Sequence, residues 1–315
     1  MKVVALAGGI GGGKFLRGLV RAVPPHDVVA VVNTGDDLWM HGLRICPDLD
    51  SVTYWLGDAF DRERGWGRRG ETFRTTEELR WFDPEAAWFG LGDLDLATHL
   101  YRTRLLADGR SLSEITALVA ARFGIAARIL PMSDDDVTTR VDVVSSGQEM
   151  DLHFQEYWVQ RGGQDDVKGV RFQGLDAARP APGVLEALAD ADAIVFAPSN
   201  PVVSIGPILG VPGIREAIEA RRDVAVGVSG IIGGAPLAGM ADRLMPATGL
   251  EVTAAGAASA YQGLLHGWLI DERDRDLAPR IERELGIRVA ITDTIMVDDH
   301  AAEAVARAAL RLLET

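Results

Sequence analysis

The sequence has a single cysteine, Cys46, in 315 residues, so no internal disulfide can form and the chain suits a reducing compartment. With no activating partner in view, Cys46 reads as a buried structural thiol. Positive charge is also scarce: 46 Asp and Glu stand against 32 Lys and Arg, a formal net charge of −14. That balance argues against nucleic acid as the main partner. An anionic substrate would then have to be met locally, by backbone N–H groups, a few cationic side chains or a bound metal. No apolar run approaches the roughly 18–20 residues of a membrane span. The apolar start, residues 1–7, runs straight into glycines and reads as a buried strand rather than a signal peptide, so the expected location is cytoplasmic. Repeats, low-complexity tracts and long linkers are missing too. No His/Cys pair has zinc-ligand spacing, and no Gly-x-Ser-x-Gly elbow supports a serine hydrolase.

What is present is an ordinary globular composition, 47% hydrophobic and 25% charged, which excludes disorder. Residues 2–7 and 28–33 are short, β-branched and bounded by turn residues, as buried parallel strands are. Between them Phe15, Leu16, Leu19 and Val20 have helical spacing. The same grammar returns at 193–197 and 224–228. Loops leaving the carboxyl ends of such strands form the ligand crevice of a parallel sheet. The middle differs: 95–106 and 111–122 read as helices, and 138–144, 151–159 and 167–173 alternate like antiparallel strands. A closing helix is expected over 301–313. The expected fold is α/β, a Rossmann-like mainly parallel sheet with helices on both faces. Residues 1–60 and 175–315 form its nucleotide-binding core, and 60–175 a mixed α+β insertion contributing to the substrate cleft.

Gly8, Gly9, Gly11, Gly12, Gly13 and Lys14 follow the first strand and open the first helix. Glycine lets backbone N–H groups approach a phosphate closely, and a helix N-terminus adds positive potential. Two common motifs fail here. Phe15 stands where a P-loop has its Ser or Thr, and Lys14 stands at the third glycine of a dinucleotide fingerprint. Asn33-Thr34-Gly35-Asp36-Asp37, Pro47-Asp48-Leu49-Asp50 and Ser133-Asp134-Asp135-Asp136 are acidic segments. Acidic loops beside a phosphate site suggest Mg²⁺, which takes one or two carboxylates plus substrate oxygens and waters. A carboxylate there can also accept a proton. His153 reads as a structural hydrogen-bonder. Trp39, Trp55, Trp66, Trp81, Trp88 and Trp158 read mostly as core, with one or two available to stack on a planar ring.

Taken with Leu91-Gly92-Asp93, Phe154-Gln155-Glu156-Tyr157-Trp158 and the run Pro198-Ser199-Asn200-Pro201, these blocks resemble, nearly end to end, the 2-phospho-L-lactate transferase family of coenzyme F420 biosynthesis. Its actinobacterial branch is the phosphoenolpyruvate transferase. The resemblance implies a Mg²⁺-assisted transfer. The ribityl hydroxyl of the deazaflavin Fo attacks a guanosine diphosphate adduct of phospholactate or phosphoenolpyruvate, and GMP leaves. It implies catalytic roles for Asp50 and Asp37, a metal site of Asp36, Asp37 and Asp50, and substrate contacts from Asp48, Asp50, His99, Ser199 and Asn200 beside the glycines and Lys14. A homodimer is also expected. Leu94, Gly230 and Ala238 depart from the family pattern, Leu94 standing where arginine is usual. The alternative is a non-enzymatic nucleotide-sugar-binding regulator resembling gluconeogenesis factor.

Overall fold

The computed structural model describes residues 1–85 and 88–314. β1 (Val3–Ala7) is buried throughout and pairs in parallel with β2 (Val28–Val32). A strand without a polar face needs cover on both sides. β1 alternates accordingly: Val4 and Leu6 enter one core, Val3, Ala5 and Ala7 the other. α1 (Gly9–Ala22) joins the two strands and lays Phe15, Leu16 and Leu19 on the second core. It ends at Val23, because Pro24 and Pro25 cannot extend it.

Next comes an antiparallel hairpin, β3 (Leu38–Met40) and β4 (Leu43–Ile45), turned by His41 at φ 51° and Gly42 at φ 74°. Two positive φ angles in a two-residue loop match the twist of the flanking strands. α2 (Pro47–Leu56), α3 (Arg74–Phe82), α4 (Asp93–Ala107) and α5 (Leu112–Arg122) follow, the last two being the helices expected in this stretch. A reciprocal Ser111–Glu114 box caps α5. β5 (Arg128–Pro131) then pairs with β2, so part of the 60–175 stretch belongs to the main sheet.

β6 (Thr138–Ser145), β7 (Gln148–His153) and β8 (Asp166–Gln173) form a separate antiparallel sheet in the order β7-β6-β8. The expected strand over 151–159 is corrected here: it stops at His153, and Glu156–Gln160 is a short π-helix. The chain turns because His153 N–H donates to Glu156 Oε2 and Gln155 N–H to His153 Nδ1. Phe154 and Trp158, four apart, then meet edge to face at 5.7 Å.

β9 (Ala193–Phe196) and β10 (Ala225–Val228) resume the main sheet after α6 (Val184–Asp190), α7 (Gly206–Gly210) and α8 (Ile214–Glu219) are placed around them. A small hairpin, β11 (Ile231–Ile232) and β12 (Ala235–Pro236), leads to α9 (Ala241–Ala247) and α10 (Ala254–Ser259). β13 (Gly267–Asp271), α11 (Ala278–Leu285), β14 (Arg288–Thr292) and α12 (Asp299–Arg311) complete the chain. The seven-stranded sheet runs β14-β13-β10-β9-β1-β2-β5, with each described pairing parallel. This is the expected α/β fold, helices covering both faces.

Strand order reverses at β1, whose neighbours are β2 on one side and β9 on the other. The crevice beyond such a reversal is where ligands bind in open α/β sheets. α1 and α12 touch backbone to backbone: a Cβ on Gly18 would lie 2.2 Å from the carbonyl carbon of Ala302. The tryptophans correct another expectation. Trp55 is buried, but Trp39, Trp66 and Trp81 are 57%, 42% and 77% exposed. Among the described residues, no helix is long and apolar enough to cross a membrane.

Candidate functional site

The glycine run is the start of α1 rather than a loop ahead of it. Gly9 has φ +64°, a conformation glycine adopts without strain. The following glycines are explained by close packing. A Cβ at Gly11 would lie 2.7 Å from Pro198 O, at Gly12 2.7 Å from Ser199 Oγ, and at Gly13 2.5 Å from Trp55. Ser199 Oγ accepts from Gly8 N–H at 3.1 Å and donates to Gly8 O at 2.8 Å, which clamps the β9 loop to the entrance of α1. Asn200 Oδ1 accepts from the N–H groups of Val202 and Val203, capping the π-turn Pro201–Ile205. Lys14 is half-buried beside Arg62 and Asp298, and burial, reinforced by Arg62, lowers its pKa.

Beneath the α1 entrance the segment after β2 folds inward. Asn33 Nδ2 donates to Asp48 Oδ2 at 2.9 Å and to Val203 O at 3.2 Å, while its Oδ1 accepts from Gly35 N–H. Asp36, Asp37, Asp48 and Asp50 are all buried. Burial, compounded by the neighbouring Asp48, drives the Asp36 carboxyl well above its usual range. Burial lifts Asp48 to about 6, opposed by Asn33 and the Gly9 N–H. Asp37 is pushed by burial to about 7, against the pull of Arg44. Its Oδ2 lies 3.3 Å from Arg44 Nη2, yet neither carboxylate oxygen has an aligned hydrogen bond.

Asp50 is committed to other partners. The Arg102 guanidinium grips both its oxygens, with Nη1 3.2 Å from Oδ2, and His99 Nδ1 lies 3.6 Å from Oδ2. Burial lowers His99 to about 4, so it is neutral near pH 7. Asp95 joins this layer through Tyr54 and is raised by burial to about 7. The residues expected to hold a metal are thus divided: Asp50 pairs with Arg102, Asp37 with Arg44, and Asp36 interacts with Asp48. Among the described residues, no group of three or more His, Cys, Asp or Glu is arranged to hold a metal ion. Two buried acids that repel each other, one with Oδ1 lacking any partner, do suit a cation that takes one or two carboxylates.

Next to these acids opens a cavity of about 540 Å³, lined among others by Asp37, Trp39, Arg44, Trp88, Asp136 and Arg140. Of residues 134–136 only Asp136 reaches it. Asp134 instead accepts from Ser113 N–H and Oγ, and Asp135 pairs with Arg179. His153 lines the cavity as a strut, its Nε2 3.2 Å from Asp37 O. Cys46 is buried and its thiol is pushed well up by burial, as an inert core thiol requires. Leu94 does not line the cavity; its carbonyl accepts from Arg68 Nη1.

Arg44, Arg102 and Arg140 escaped the sequence reading. Arg102 had a legible signal, since it lies three residues after His99, on one face of α4. Arg44 sits opposite Trp39 in a hairpin too short for its alternation to be distinctive.

A family model described as 2-phospho-L-lactate transferase CofD matches residues 3–310. A phosphoenolpyruvate transferase of Streptomyces griseus subsp. griseus is 50% identical over 315 residues, covering 100% of this chain and 99% of that one. The protein of the same name from Mycolicibacterium smegmatis is 43% identical, covering 99% and 98%. In fold, the chain is similar to a solved member of the upf0052 family from Bacillus halodurans, with a TM-score of 0.64, 17% identity and 98% coverage of both chains. Relatives named as transferases along the whole length do not favour a non-enzymatic regulator. The chain belongs to the 2-phospho-L-lactate transferase CofD family, the transferases of coenzyme F420 biosynthesis.

Proposed function

We propose that this chain transfers a phosphoenolpyruvyl group from its guanosine diphosphate adduct to the ribityl hydroxyl of Fo, releasing GMP. The carrying observation is the cavity bordered by the buried Asp37, two indoles and two guanidiniums. Trp39 and Trp88 offer stacking surface for the deazaflavin ring. Arg44 offers charge to an anion that the acidic surface would otherwise repel, while Arg140 beside it is paired with Asp151. The curated relatives' names favour phosphoenolpyruvate over phospholactate as the acid.

In the step itself the ribityl oxygen bonds to the acid-side phosphorus. The bridging P–O bond breaks with its electron pair on GMP, and the hydroxyl proton passes to Asp37. A carboxyl raised to about 7 is a matched acceptor near neutral pH. Asp50, gripped by Arg102, serves to fix α4 against α2 rather than to take the proton. Asp36 and Asp48 would hold Mg²⁺, which when bound neutralises charge on the diphosphate oxygens. A homodimer is part of the same proposal, and sedimentation velocity decides it.

The test is purified protein with Mg²⁺, Fo and the guanosine diphosphate adduct of phosphoenolpyruvate, with GMP and the Fo phosphodiester followed by chromatography and mass spectrometry. Release of both in equal amounts is expected. No GMP from this adduct or from its lactate counterpart would sink the reading, and preference for the lactate adduct would reassign the acid.

A further inference from the structure

Arg44 is held with unusual firmness for a long side chain at a cavity wall. Its N–H donates to Thr103 Oγ1 at 2.8 Å and its carbonyl accepts from Arg102 Nη1 at 3.3 Å, so α4 fixes the backbone on both sides. Its side chain is only 10% exposed, and the guanidinium lies 5.9 Å from the centre of the Trp39 ring, the residue opposite it in the hairpin. One end of the fork meets the buried Asp37. The other end, Nη1, meets Asp136 Oδ1 at 3.1 Å, and the Asp136 side chain is 82% exposed. An inner partner that cannot leave and an outer partner already in water are unequal. The outer pair is solvent-screened and easily exchanged.

The second guanidinium of the cavity is less available. Arg140 Nε donates to Asp151 Oδ1 at 2.9 Å and Nη2 to Asp151 O at 3.0 Å, so it is spent on the neighbouring strand. We propose that Arg44 reads the carboxylate of the acid group being transferred, and that Asp136 occupies that place until substrate displaces it. This rests on the transfer reaction proposed above, which supplies a substrate with a carboxylate beside its phosphorus. A planar fork matched to a carboxylate selects against otherwise equal phosphate esters that lack one. Asp136 lowers affinity for every weaker anion by competing for the same N–H groups.

The experiment measures transfer to Fo from two adducts of guanosine diphosphate, the phosphoenolpyruvyl adduct and a vinyl ester without the carboxylate. Wild type, Arg44→Lys and Asp136→Asn are compared, with KM and kcat taken for each adduct. Wild type is expected to favour the carboxylated adduct. Arg44→Lys raises KM for that adduct by roughly tenfold to a hundredfold more than for the vinyl adduct, the range for a lost charged hydrogen bond, while any effect passed on through Asp37 lowers kcat for both adducts alike. Asp136→Asn, at an exposed position, lowers KM for the carboxylated adduct by a few-fold. Equal rises in KM on both adducts in Arg44→Lys would make Arg44 structural and overturn the inference. If that variant does not fold, Asp136→Asn decides alone, and an unchanged preference there overturns it. Wild type inactive on both adducts removes the proposed function, and with it this inference; a working wild type with indifferent variants removes only the inference.

Discussion

Four aspartates packed within one layer have three different fates, and the difference lies in what each one touches. Asp50 meets Arg102, Asp37 meets Arg44, and Asp36 and Asp48 meet each other. Asp37→Asn keeps shape and burial while removing the proton acceptor. It should lower kcat by roughly a hundredfold or more in a protein that still folds, with a lower melting temperature because Arg44 loses its buried counter-charge. Loss of folding instead of turnover would refute that role. The acids were legible because they recur in short runs at strand ends, where sequence alone places them at the sheet's carboxyl edge. Their partners were not. Arg44 and Arg102 lie 7 and 52 residues from the carboxylates they meet, and such distances carry no local pattern.

At the scale of elements, β1, β2, β9 and β10 and the helices α4, α5 and α12 followed from periodicity, whereas β5, β13 and β14 of the same sheet did not. The turn at His153 did not, since Phe154 and Trp158 suit a strand as well as a helix and only side-chain bonds to the backbone decide. The glycines of α1 read as phosphate-binding, while their would-be Cβ positions show close packing against Pro198, Ser199 and Trp55. Gly18 belongs to the same helix and makes the tightest of these approaches. Gly18→Ala should cost about 1–3 kcal/mol by overpacking, read as a lower urea midpoint at unchanged slope. Trp81→Ala, at a 77% exposed position on α3, should shift the midpoint by less than about 0.5 kcal/mol. Reversed magnitudes would mean that α3 is packed in solution and that the α1–α12 contact is loose.

For the molecule as a whole, buried acids make stability depend on pH in an unusual direction. Asp37 and Asp95, each raised to about 7, hold protons in the folded state that the unfolded chain has already released. Their contribution is therefore full below the unfolded value and is lost as pH rises through about 7. Between about pH 6 and pH 8 each such group removes roughly 1 kcal/mol. His99, lowered to about 4, acts oppositely but only below about pH 6.5. Metal-free protein should thus melt at a lower temperature at the higher pH. Mg²⁺ should recover more of the loss there than at the lower pH, because protons compete with it for Asp36 and Asp48. A melting temperature that rises from about pH 6 to pH 8 without Mg²⁺ would contradict this. The sheet order was legible only in outline, since the return of residues 128–131 to the edge is set by space left beside β2.

The contact between Gly18 and Ala302 also orders events during synthesis. Phe15, Leu16 and Leu19 belong to the core that α12 completes, yet 280 or so residues separate the two helices. α1 emerges well before α12, and the strip of its apolar face that meets α12 stays uncovered until residues 299–311 follow, while α2 covers its other side. A chain stalled before Asp299 would keep that strip of α1 exposed, the apolar surface that α12 otherwise covers.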